Sequence, residues 1–154
     1  MRGPASAHTL NATLPVIAWP DTERQHAFEH WLAAIAPRHG LQPASLRSAS
    51  SDASFRRYFR IDGAHGASCI VMDAPPPQED VRPFVHVAGL LHAAGLHAPQ
   101  VLEQDAERGF LLLTDLGNRL YLDALNEAVA AGDTRSVDQL MRAALAALVQ
   151  WQCQ

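Results

Sequence analysis

Three consecutive prolines, Pro75-Pro76-Pro77, divide this chain and limit what can lie on either side of them. Proline has no backbone N–H to give to a ladder, so a strand entering this stretch must end there. The residues before it carry a strand pattern. Ser54 to Ile61 alternates Phe55, Arg57, Phe59 and Ile61 against Ser54, Arg56, Tyr58 and Arg60, which is the period of two expected of a strand. Gly63 to Gly66 reads as a turn, and Ser68 to Met72 as a short buried strand. Beyond the prolines, a helix is predicted from about Val81 to Ala94, closed by Gly95. Two strands follow, Gln100–Gln104 and Phe110–Thr114, around the polar turn 105–109. At the front, Asp21 is a good N-cap for a helix with a Phe28, Trp31, Leu32 and Ile35 stripe, ending near Pro37 and Gly40. After Gly117 come a short helix over about 120–131 and a last helix capped by Asp133 or Thr134. The stripe of that last helix is Val137, Leu140, Met141, Ala144, Leu145, Leu148 and Trp151. The order of elements predicts an α+β fold.

Composition narrows the function classes. A 154-residue chain with 48% hydrophobic and 18% charged residues is long enough for one core. The net charge of −4 and pI near 6.0 give no electrostatic case for nucleic acid or an anionic membrane as partner. All twelve cationic residues are arginine. The lack of lysine excludes a Walker phosphate loop, a Schiff-base lysine and the strand lysine of a standard protein kinase. Cys69 and Cys153 cannot build a disulfide scaffold and read as reduced thiols. The apolar stretch Leu14–Trp19 is broken by Pro15 and too short for a signal or a span, so the expected location is cytoplasmic. Residues 1–20 read as a flexible leader, in which the sequon Asn11-Ala12-Thr13 carries no meaning without a secretory signal. The last helix stays amphipathic to the final residue, so the chain reads as cut within a larger helical unit.

Several motifs compete for chemistry. His26-Ala27-Phe28-Glu29-His30 matches an inverted zinc-peptidase pattern. It lacks an evident third ligand, and a solvated helix face is the plainer reading; no metal site is expected. His86 and His92 are six apart on a helix and diverge. Asp115-Leu116-Gly117 has the look of a magnesium-holding D-F-G, but no histidine in the chain has an aspartate two residues on, so a strand end and turn fits better. Glu79 and Asp80 precede a helix, where negative charge favours the N-terminal dipole, and read as capping. Arg56, Arg57 and Arg60 flank Tyr58 and Phe59 just after the small, hydroxylated run Ser50-Ser51-Asp52-Ala53-Ser54. A loop and strand that grip phosphate is the sharper reading, and exposed hairpin arginines the blander one.

Four blocks in order carry a resemblance: Ser51–Arg60, Ile70–Asp80, Pro83-Phe84-Val85 and Gly109–Gly117. Together they resemble the aminoglycoside phosphotransferase family, of kinase-like fold, and within it the anomeric kinases of N-acetylmuramic acid and N-acetylglucosamine in bacterial cell-wall recycling. The similarity spans roughly residues 22–154. It implies a kinase-like N-terminal lobe over 21–117, hinge included, with an antiparallel sheet of about five strands and a packed helix. Residues 118–154 would then begin a truncated helical C-lobe.

The implied activity is ATP-dependent phosphoryl transfer to a sugar hydroxyl. By that resemblance the Ser51–Ser54 turn sits over the nucleotide phosphates, Ile70 and Met72 help roof the adenine, and backbone groups of Thr114, Asp115 and Leu116 meet the adenine edge. The strand position for a phosphate-binding lysine or arginine falls at Met72 or Asp73, neither of which pairs with phosphate. Arg56 or Arg57 is the expected substitute. The general base and the Mg²⁺ ligands of the family belong downstream, so no catalytic residue is expected here and the chain alone should be inactive. A short non-catalytic nucleotide-binding or adapter module, self-associating through helix 133–152, is the rival of another class. The same family with an aminoglycoside, choline or homoserine-type acceptor is the rival within it, and a zinc hydrolase is a distant fourth.

Overall fold

The computed structural model describes residues 17–51 and 54–153. The chain runs α1 (Thr22–His39), β1 (Arg47–Ser51), β2 (Arg57–Asp62), β3 (Ser68–Asp73), α2 (Arg82–Ala93), β4 (Val101–Asp105), β5 (Phe110–Thr114), α3 (Tyr121–Ala130) and α4 (Thr134–Gln152). The strands form one antiparallel sheet in the order β1-β2-β3-β5-β4, so the α+β expectation holds.

Local chemistry sets the ends of α1. The Asp21 carboxylate accepts the Arg24 N–H at 2.6 Å, satisfying one of the orphan donors of the first turn. Gly40 closes the helix with a φ of 60° and gives its N–H to Ala36 O, a left-handed cap that favours glycine. Pro37 lies within the last turn, and the helix continues through it to His39.

The sheet has two different faces because side chains alternate along each strand. One face carries Phe59, Ile61, Val71, Phe110 and Leu112, which pack against Phe28, Trp31, Leu32 and Ile35 of α1. The Phe28 ring meets Phe59 and Phe110 edge-on, both at 5.5 Å between centroids, a favoured aromatic geometry. The other face carries Met72, Leu111 and Leu113, with Ala74 and Val81 buried beside them and Tyr58, Ile70, Phe84 and Val85 against the cluster. Two apolar layers therefore sandwich the centre of the sheet.

Three expectations change. The strand expected from Ser54 begins at Arg57, because Ser54 Oγ and Glu79 Oε1 take the N–H groups of Arg56 and Phe55 that a ladder would otherwise need. An additional strand, β1, pairs with β2 although Arg-Ser-Ala-Ser-Ser has no apolar alternation. The end of the expected leader belongs to the core: the Trp19 ring packs, tilted, on Phe28 at 4.9 Å and on Phe59 at 5.8 Å between centroids, and Ile17 joins the same cluster. Residues 1–16, the sequon among them, lie outside the described residues.

Asp73 is the one charged residue with no exposed surface among the described residues. Its Oδ1 accepts from Arg24 Nε and its Oδ2 from Arg57 Nε, each at 2.9 Å, with a terminal amino group of each arginine adding a second bond. The Arg24 guanidinium lies 4.1 Å above the Phe110 ring and that of Arg57 4.3 Å above Trp19. Removing one partner of a buried pair leaves the other uncompensated. Asp73→Ala should cost about 3 kcal/mol, the low end of that range because Arg57 reaches water. Urea unfolding followed by tryptophan fluorescence measures it.

Candidate functional site

On the sheet face opposite α1, a cavity of about 450 Å³ opens between β1, β2, β3 and the segment that follows β5. This volume is in the range of small-molecule sites. Ala49 and Ser50 of β1, Tyr58 and Arg60 of β2, Ile70 of β3 and Leu113 of β5 form the sheet side. Thr114, Asp115, Leu116, Gly117 and Asn118 form the opposite rim, with Phe84 and Pro99 closing one end. Apolar walls facing the rim 114–118 suit a flat heteroaromatic base.

The rim is latched to the sheet. Asp115 Oδ2 accepts from Arg60 Nε at 2.5 Å and from Ser68 Oγ at 2.6 Å, and Oδ1 from Arg60 at 3.0 Å. Oδ1 also takes the Gly117 N–H at 2.8 Å, and Arg60 reaches Gly117 O at 3.1 Å. Thr114 is tied to the next strand through Gln100, N–H to O at 3.0 Å and Oγ1 from N–H at 2.9 Å. The Arg60 hydrogen bond, with those of Ser68 and Gly117, lowers the Asp115 carboxyl to about 2. Arg60, grouped with Arg56 and Arg57 as a candidate phosphate grip, lies on the Tyr58 side as strand alternation requires and holds the rim through Asp115.

The expected residues divide between the two faces. Ile70, Thr114, Asp115 and Leu116 meet in the groove. Met72 shares the groove-facing side of β3 with Ile70 but is fully buried with Ala74, Val81, Leu111 and Leu113. It plugs the sheet under the start of α2 and roofs nothing, a correction to its expected role. Arg57 is likewise corrected: it follows the parity of Phe59 and Ile61 to the α1 face and is held by Asp73. Arg56 is on the groove side, its Nε giving to Glu79 Oε2 at 2.8 Å. It lines a smaller cavity of about 310 Å³ that shares Phe84 and Pro99 with the groove. Glu79 is not a cap, since its carboxylate reaches back to Phe55 and Arg56; Asp80 takes the Arg82 N–H at 3.0 Å instead. Ser51 ends β1, Ser54 is exposed with its Oγ toward Arg56 N, and the turn between them lies outside the described residues.

The other motifs weighed in the sequence do not join the groove. Glu29 accepts from Gln25 at 2.7 Å, and no three metal-ligating side chains converge among the described residues. No helix of the described residues is long and apolar enough to cross a membrane. A second cavity of about 470 Å³, lined by Trp19, Gln25, Leu32, Ala33 and Pro43, lies on the α1 side. No arginine lines it.

A five-stranded antiparallel sheet with a latched rim over a groove on one face, and helices following it, is the N-terminal lobe of a kinase-like phosphotransferase. The model of the phosphotransferase enzyme family matches residues 45–153, and the chain belongs to that family. It is 58% identical over 110 residues to an N-acetylmuramate/N-acetylglucosamine kinase of Pseudomonas aeruginosa, a match covering 71% of this chain and 30% of that protein. The like-named protein of Pseudomonas putida is 60% identical over 88 residues, 57% of this chain and 26% of the relative. That of Neisseria meningitidis is 39% identical over 103 residues, 67% and 29%. The matched chain thus spans less than a third of each of these relatives.

The latch sets a pH dependence. Asp115 is depressed from the ~3.9 of an unfolded aspartate to about 2, so its stabilisation is complete above the unfolded value and is lost as pH falls toward 2. The stability gap between the unaltered chain and Asp115→Asn should be flat from pH 7 to about 5 and shrink progressively below that, with most of it gone by about pH 2. Acid titration of the unfolding free energy of both proteins tests this, and a gap undiminished at pH 2 contradicts it.

Proposed function

We propose that this chain is the nucleotide-binding lobe of an ATP-dependent kinase that phosphorylates the hydroxyl of an amino sugar, N-acetylmuramate or N-acetylglucosamine, in the cytoplasm as part of cell-wall recycling. The observation that carries the nucleotide part is the groove itself: apolar Ile70 and Leu113 face the rim Thr114–Leu116, which the Arg60–Asp115 latch fixes in place. The acceptor part rests on the likeness to N-acetylmuramate/N-acetylglucosamine kinases.

The residues present fit the adenine end of ATP. Ile70, Leu113 and Tyr58 would pack on the base, and the backbone of Thr114, Asp115 and Leu116 would meet its polar edge. At the phosphate end, Arg56 is the groove-side cation. When bound, ATP would supply the γ-phosphoryl group and Mg²⁺ would neutralise its developing charge; the metal ligands and the general base are expected from the remainder of the relatives' length. What this lobe contributes is orientation: it holds the base against the sheet and aims the phosphates away from the rim. Its exposed α3 and α4 side chains, Leu122, Val129, Met141, Leu145 and Leu148, would be covered by that remainder.

Calorimetric titration of the chain with ATP tests the reading. Binding is expected, and Ile70→Trp, which fills the groove, should weaken it at least about ten-fold, the loss of one good contact at ~1.4 kcal/mol per decade, with an unchanged circular dichroism spectrum. Undiminished binding by Ile70→Trp would place the nucleotide elsewhere. The isolated chain should show no sugar-dependent ATP turnover, and measurable turnover would overturn the assignment of the base to the part of the relatives that this chain does not span.

A further inference from the structure

We propose that Glu79 is a positioning residue for phosphate binding: it fixes Arg56 at the phosphate end of the groove, in place of the cation missing from the β3 position of Met72. The inference rests on the nucleotide reading above and deepens it.

Elimination among the arginines leads to Arg56. Met72 is apolar and fully buried, and the chain has no lysine to offer from any other strand position. Arg57 lies on the opposite face and is spent on Asp73 and Ala18 O. Arg60 is spent on Asp115 and Gly117 O. Arg56 alone of the three stands beside the groove without a rim to hold.

Glu79 is built to orient it. Its side chain is only 10% exposed, and its two oxygens take two donors from adjacent residues: Oε1 the Phe55 N–H at 3.2 Å and Oε2 the Arg56 Nε at 2.8 Å. One carboxylate therefore fixes both the backbone leading into β2 and the guanidinium that follows. An exposed ion pair does little, but a shielded, charge-assisted bond is directional. A guanidinium has five donors in a rigid fork, and the Nε contact uses one of them. A phosphate would meet a cation whose rotamer freedom has already been removed, so orientation outweighs the nearby negative charge.

The test compares ATP with AMP on the whole chain, because AMP reports the base site and the fold while ATP adds the terminal phosphates. By calorimetry, Arg56→Ala should lower the ATP-over-AMP preference about ten-fold, the loss of a charge-assisted contact. Glu79→Gln, which is isosteric and can still accept the Phe55 N–H, should lower it about three-fold. AMP affinity should stay within about two-fold in both, and the double variant should match Arg56→Ala alone, since a positioning residue has nothing left to position. An unchanged or increased preference in Glu79→Gln, an additive double variant, or parallel losses for AMP and ATP would each overturn the inference. Failure of AMP to bind the unaltered chain would overturn the groove reading and this inference together.

Discussion

The Asp73 carboxylate, enclosed at the end of β3 and shared between Arg24 of α1 and Arg57 of β2, decides which face of the sheet is closed and which is open. A bare carboxylate in that position would be expensive to bury. Here each oxygen takes donors from a different arginine, and each guanidinium lies over an aromatic ring, so charge and stacking act together. The contact joins residues 49 apart in the chain and pins the N-terminal helix across the sheet. With α1 fixed there, Trp19, Phe28, Phe59 and Phe110 complete the closed layer. The opposite face is left to make the groove.

The run from Arg56 to Arg60 shows how little a basic cluster says until its faces are separated. Three arginines in five residues go to three different acids: Arg56 to Glu79, Arg57 to Asp73 and Arg60 to Asp115. One builds the core, one latches the rim and one borders the groove. What resembles a patch of positive charge in the sequence is a set of local neutralisations, in keeping with the overall charge of −4.

Most of this fold was legible in the sequence because its elements announce themselves locally. Asp21 and Gly40 bracket α1, the alternation into Ile61 marks β2, and the prolines stop β3. β1 was not legible: Arg47–Ser51 has no apolar pattern and becomes a strand by pairing with β2, with a register shift between Ser48 and Ser50. The groove was half legible. Ile70 and the Thr114–Leu116 rim came from the resemblance, and the same alternation that defines β2 already separates Arg57 from Arg60 by face. The Glu79–Arg56 and Asp73–Arg24 contacts join residues 23 and 49 apart. No local spacing encodes such pairs, so only the folded sheet brings them together.

The central claim is that the face opposite α1 receives the nucleotide, and amide chemical-shift mapping of the ¹⁵N-labelled chain titrated with AMP tests it most directly. The account predicts that the largest perturbations fall on Ile70, Leu113, Thr114, Leu116 and Gly117, the sheet wall and latched rim of the groove. Perturbations confined to Leu32, Ala33, Ala44 and Leu46, around the cavity on the α1 side, would contradict it.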